Sequence, residues 1–106
     1  MNTNPAHDHR EASPNYARTI YTEDRHRVAL CRDGIQFLLQ RRVDKKRGTE
    51  WKSLHYCTTN QTAARDWRRM LGLKPTDPVA AEITHLPINA RIASVTQRAE
   101  VESTQA

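Results

Sequence analysis

RHRVALCRDGIQFLLQRRV, residues 25–43, places two runs of β-forming residues on either side of Asp33-Gly34. That dipeptide suits the positive φ angles of a type I′ turn, so the stretch predicts a β-hairpin with Asp33 and Gly34 as its two loop residues. Arg32 then opposes Ile35, and counting back pairs Cys31 with Gln36, Leu30 with Phe37, Ala29 with Leu38, Val28 with Leu39, Arg27 with Gln40 and Arg25 with Arg42. Side chains alternate across a strand, so Val28, Leu30, Phe37 and Leu39 share one apolar face. Arg25, Arg27, Ala29, Cys31, Gln36, Leu38, Gln40 and Arg42 share the other, which is mostly polar and is expected to face water. A slip of one residue would mix the two sets, so turn chemistry and side-chain pattern support the same register.

Downstream, DKKRGTE (residues 44–50) is too charged to be core and reads as an exposed loop. It leads into a third strand, WKSLHYCTT (residues 51–59), whose alternation turns Leu54 and Tyr56 inward and Trp51, Ser53, His55 and Cys57 outward. In TTNQTAARDWRRMLGL (residues 58–73), Ala63, Trp67, Met70 and Leu71 fall at i, i+4, i+7 and i+8, a helical stripe, with Arg65, Asp66, Arg68 and Arg69 pointing away. Asn60 or a neighbouring threonine can cap its start, and Gly72 stands just past its end. Asp77-Pro78 has the form of a second helix start, with a short strand as the competing reading of residues 79–86. The expected fold is α+β: a three-stranded antiparallel meander packed on one amphipathic helix, with residues 77–86 as a further short element.

Single-domain size and a 37% hydrophobic content set the boundaries around this unit. Residues 1–19 carry Pro5 and Pro14 and no periodicity, and are expected to be a disordered arm; residues 20–87 form the domain; residues 88–106 form a flexible tail. No apolar stretch reaches the length of a signal peptide core or a membrane span. Two cysteines, Cys31 and Cys57, cannot make a disulfide framework, which points to a reducing cytoplasm.

The catalytic signatures are missing. No phosphate-cradling glycine loop, zinc-protease helix motif or nucleophile elbow occurs, and the chain has three glycines in all. His7, Asp8 and His9 cluster on the arm, where nothing holds metal-ligand geometry, and the ordinary reading is a solvated polar segment. His55 and Cys57 share a strand face, but two small strand residues are the simpler account of that pair. The sequence thus reads as non-enzymatic, with no cofactor.

What stands out is charge. The chain carries a formal +5, and between Arg25 and Lys52 nine Lys or Arg residues face only Asp33, Asp44 and Glu50. Nucleic-acid binding needs cations for phosphates and planar or amide groups for bases. The polar sheet face offers Arg25, Arg27, Gln36, Gln40 and Arg42, joined by Trp51 and His55 from the third strand, with Lys45, Lys46 and Arg47 as a loop clamp, Lys52 as a further binding residue, and Arg65, Arg68 and Arg69 as a second basic surface. The expectation is a DNA- or RNA-binding accessory or regulatory protein. The alternative is a module or inhibitor that grips an acidic protein through the same face, and a basic run can also be no more than a soluble surface.

The order strand, Asp-Gly turn, strand, basic loop, Trp-bearing strand and Thr62–Leu71 helix resembles the AP2-like, arm-type DNA-binding domains at the front of phage and plasmid tyrosine integrases. In that family the three-stranded sheet lies in the major groove and the helix braces its back. The resemblance covers residues 25–73 and rests on Arg27, Gln36, Gln40, Arg42, Trp51 and the helix. It implies a DNA-binding sheet, acting without the catalytic domain of an integrase, as part of a mobile element.

Overall fold

The computed structural model describes residues 10–105, so His7, Asp8 and His9 lie outside the described residues. The described residues form an α+β fold, with four antiparallel strands in the order β1-β2-β3-β4 and three helices. The strands are β1 (Thr19–Glu23), β2 (His26–Leu30), β3 (Phe37–Lys45) and β4 (Gly48–Cys57), and the helices are α1 (Asn60–Met70), α2 (Ala81–Thr84) and α3 (Ala90–Gln105).

The β2–β3 register follows the side-chain pattern: Arg27 pairs with Gln40, Val28 with Leu39, Ala29 with Leu38 and Leu30 with Phe37. Cys31 N–H also donates to Gln36 O at 2.9 Å, and Arg42 N–H to Arg25 O at 2.8 Å. The turn itself differs from the two-residue form. Cys31 O accepts Gly34 N–H at 3.0 Å, and of the loop residues Gly34 alone has a positive φ, +70°. The connection is therefore a four-residue loop, Arg32–Ile35, centred on the same two residues, and the register survives because the centre does not move. Gly34 is required twice over, because a Cβ there would be strained by φ and would collide with Ser94 Oγ of α3.

The fourth strand is β1, which joins the outer edge of β2 through a tight Asp24-Arg25 loop with Asp24 at φ 53°. Residues 44–50 are not a loop. β3 and β4 run through them as a long hairpin, Asp44 pairing with Thr49 and Lys45 with Gly48, so only Lys46 and Arg47 form the turn.

One irregularity turns part of β4 over. Leu39 pairs with His55 but Gln40 with Ser53, so Leu54 is an extra residue, a β-bulge. Before the bulge, Trp51 and Ser53 share a face with Arg42 and Gln40; after it, His55 and Cys57 share the opposite face with Leu39 and Phe37. The expected inward placement of Leu54 and Tyr56 therefore fails: they are 41% and 61% exposed, and Cys57 is the buried member of the segment.

Val28, Leu30, Phe37 and Leu39 form the core with Cys57, Ala63 and Trp67, closed by Ile83 and Leu86 around α2 and Ala90 and Ala93 of α3. α1 follows its stripe: Thr59 Oγ1 accepts Thr62 N–H as the N-cap, and Leu73 N–H to Arg68 O with Gly72 N–H to Arg69 O closes the far end as a Schellman motif. Trp67 is fully buried and meets Tyr21 of β1 at a ring separation of 6.0 Å. Residues 81–84 are helix, which decides against the strand reading, but the helix starts at Ala81 with Ala80 as its cap and not at Asp77-Pro78. The segment expected to be a flexible tail contributes α3, because its small residues Ala90, Ala93 and Ser94 let the helix pack closely against the β2–β3 loop.

Trp67→Ala is expected to lower unfolding free energy in urea by about 3–5 kcal/mol, and Leu54→Ala by less than about 1 kcal/mol. The reverse ranking would place the bulge elsewhere.

Candidate nucleic-acid interface

The sheet's second face is the one the sequence offers to nucleic acid, and the structure overturns the expectation that it faces water. Residues 10–18, expected to belong to a disordered arm, lie across it. Arg27 is 1% exposed, Gln40 0% and Trp51 7%. The Arg27 guanidinium donates from Nε to Gln40 Oε1 at 2.6 Å, and from its terminal nitrogens to Ser13 O at 2.9 Å, Glu11 O at 3.0 Å and Pro14 O at 3.4 Å. Its carbon sits 4.4 Å from the centre of the Trp51 ring. Gln40 Nε2 donates to Glu11 O at 2.9 Å and Ser53 Oγ at 3.1 Å, which completes the amide's partners.

The segment is held along its length. Trp51 N–H donates to Ala12 O at 2.9 Å, Leu30 N–H to Arg18 O at 3.0 Å, and the Tyr16 hydroxyl to Leu30 O at 2.6 Å. Burial, then the Glu11 carboxylate, pushes the Tyr16 phenol up to about 12, so it remains a donor. Burial pulls Arg27 down to about 10, which leaves it charged at neutral pH. Charge without a carboxylate is tolerated here because carbonyl oxygens and an aromatic face replace water around it. Arg27, Gln40 and Trp51 are thus structural, and the residue types that suit base edges are spent on holding residues 10–18.

The other sequence-selected residues divide in two. Asp44 accepts from Arg25 at 2.6 Å and lies 3.4 Å from Arg42, and Lys45 is paired with Glu50. Gln36 is half-buried beside the β2–β3 loop. Lys46 and Arg47 at the hairpin turn and Lys52 on β4 are exposed and have no acidic partner among the described residues. Arg41, which the sequence reading does not name, belongs with them. It pairs with Lys52 across β3–β4 and is exposed. From Arg41 to Lys52 six cations face two carboxylates, a net +4 of the chain's +5, and both carboxylates are already engaged. Arg25, Arg41, Arg42 and Lys52 line an open groove of about 440 Å³ with Val43, Asp44 and Leu54.

On α1 the expected outward residues include one that is buried. Asp66 is 7% exposed and accepts from Cys57 Sγ at 3.3 Å, with Arg65 Nε at 3.3 Å and Arg69 at 3.7 Å. Burial pushes its carboxyl up, but the Cys57 thiol, Arg65 and His55 outweigh burial and leave it below its ordinary value. The same contact works the other way on Cys57, whose thiol is raised to about 12 by burial and Asp66; a nucleophile needs the thiolate, so this pair offers none. Arg68 Nε donates to Asp77 O at 2.8 Å, which makes it a brace for the segment after α1.

No protein-family model matches the chain, and neither does any curated protein or solved structure. Among the described residues no helix is long and apolar enough to cross a membrane.

Arg27→Lys is expected to destabilise the fold nearly as much as Arg27→Ala, by about 3 kcal/mol or more in urea unfolding, because an ammonium cannot supply the planar fork that these acceptors fit. A second expectation concerns pH. Burial, then Arg41, lowers the imidazole of His26 below its ordinary 6.5. The unfolded chain then binds the proton more tightly, so stability is fully present above about 6.5 and is lost as pH falls toward the folded value. The melting temperature should decline below that pH in the wild type, and this part of the decline should vanish in His26→Gln.

Proposed function

We propose that this protein is a non-enzymatic nucleic-acid-binding protein, of an accessory or regulatory kind, that holds its target with the cations of the β3–β4 hairpin. The observation that carries the reading is the concentration of uncompensated charge on one projecting element: Arg41, Lys46, Arg47 and Lys52 are exposed without acidic partners among the described residues, while Asp44 and Glu50 are already paired. A two-stranded ribbon of this kind fits the width of a DNA groove, and its cations displace condensed counterions from phosphates. The mode differs from sheet-face docking in the integrase arm domains that the strand and turn order resembles, because residues 10–18 occupy that face here.

The test is fluorescence anisotropy with a labelled mixed-sequence DNA duplex across a salt series. Four phosphate contacts would give a log-log slope of roughly −3 to −4. Lys46→Glu combined with Arg47→Glu and Lys52→Glu is expected to weaken binding at least about tenfold at low salt. Arg91→Glu, on α3, is expected to change it little. Equal weakening by Arg91→Glu, or equal competition by polyglutamate at matched charge, would contradict the reading and favour an acidic protein partner instead.

A further inference from the structure

We infer that the groove between Arg41 and Lys52 seats a backbone phosphodiester of the bound nucleic acid, and that the hairpin grips its target through phosphates without reading bases. The inference rests on the nucleic-acid reading above and specifies what that surface recognises.

Three features point the same way. First, Arg41 and Lys52 are direct partners across β3–β4, which puts their backbones about 5 Å apart with both side chains on one face, so two long cations converge on one anion. Arg41 adds a planar fork that matches paired phosphate oxygens, and Lys52 adds a compact point charge. Second, the groove's single carboxylate, Asp44, is held by Arg25 at 2.6 Å and Arg42 at 3.4 Å, so it is neutralised rather than left to repel an anion. Third, the rest of the lining is Val43 and Leu54, which have no side-chain hydrogen-bond groups with which to read a base edge.

The aromatic rings that would stack on bases and the Gln40 amide do not line this groove. Trp51 and Gln40 are on the opposite face beneath residues 10–18, and Trp67 is in the core. The exposed Tyr56 pairs with Leu38 and does not line this groove, although it lines a neighbouring one with Lys52. The seat therefore meets the part of a nucleic acid that is the same in every sequence.

The experiment compares wild type, Arg41→Gln plus Lys52→Gln, and Lys46→Gln plus Arg47→Gln on two duplexes of unrelated sequence and one single strand, each over a salt series. Both double variants change exposed residues, and their melting temperatures serve as the check on folding. Wild type should bind the two duplexes within about threefold of each other. Loss of Arg41 and Lys52 should weaken all targets by a similar factor and reduce the duplex salt slope by about 2, as removal of two phosphate contacts requires. Three results would overturn the inference. If the Arg41/Lys52 variant binds like wild type while the Lys46/Arg47 variant does not, the hairpin reading stands and the seat falls. A preference of more than about thirtyfold for one duplex would show that bases are read. Failure of wild type to bind any target at low salt would remove the hairpin reading and the seat together.

Discussion

The structure turns on how a guanidinium is held. Arg27 sits on the sheet face away from the helices, and it is kept out of water by three carbonyl oxygens of residues 11–14, the Gln40 amide and the Trp51 ring. A buried cation stripped of its hydrogen-bond partners costs several kcal/mol, so this cage and the segment that builds it form together. With the cage closed, Ala29, Leu38 and Trp51 have cover, and a thin sheet becomes a layer protected on both sides.

Closure on that side determines what is left for recognition. Covered strands cannot dock on anything, and α1 and α3 screen the opposite face as far as Leu39. β3 and β4 run on past the end of β2, and this end of the hairpin carries most of the net charge. The division between a closed body and a charged extension follows from length: β3 and β4 are 9 and 10 residues, whereas β1 and β2 are 5 each.

Much of the helix-covered side was legible in the sequence. The pairing around Asp33-Gly34, the four apolar residues it aligns and the stripe through Ala63 and Trp67 all appear as read, because period-2 and period-3.6 patterns are direct consequences of backbone geometry. The bulge was not legible: alternation extrapolated from Trp51 carries no mark of an inserted residue, and every side chain beyond Leu54 changes face. Residues 10–18 were hidden for another reason. They meet the Arg27 side of the sheet largely through main-chain carbonyls, which every sequence has, so proline and polar content concealed a good fit to which Tyr16 and Arg18 add side-chain bonds. A signal did exist, because the pair Ala29 and Leu38 beside Trp51 is too apolar for a face left to water. Arg27, Gln40 and Trp51 were chosen for chemistry that they apply internally, while Arg41, in line with Leu39 on its strand, was not named.

Native-state hydrogen exchange of the Trp51 and Leu30 amides, which donate to Ala12 O and Arg18 O, tests the closed face most directly. Both should exchange only through global unfolding, at the rate of the β2–β3 ladder, whether or not nucleic acid is bound. Rapid exchange of these two amides while the β2–β3 ladder stays protected would mean that residues 10–18 leave the face readily, and the Arg27 surface would return as the place where a ligand binds.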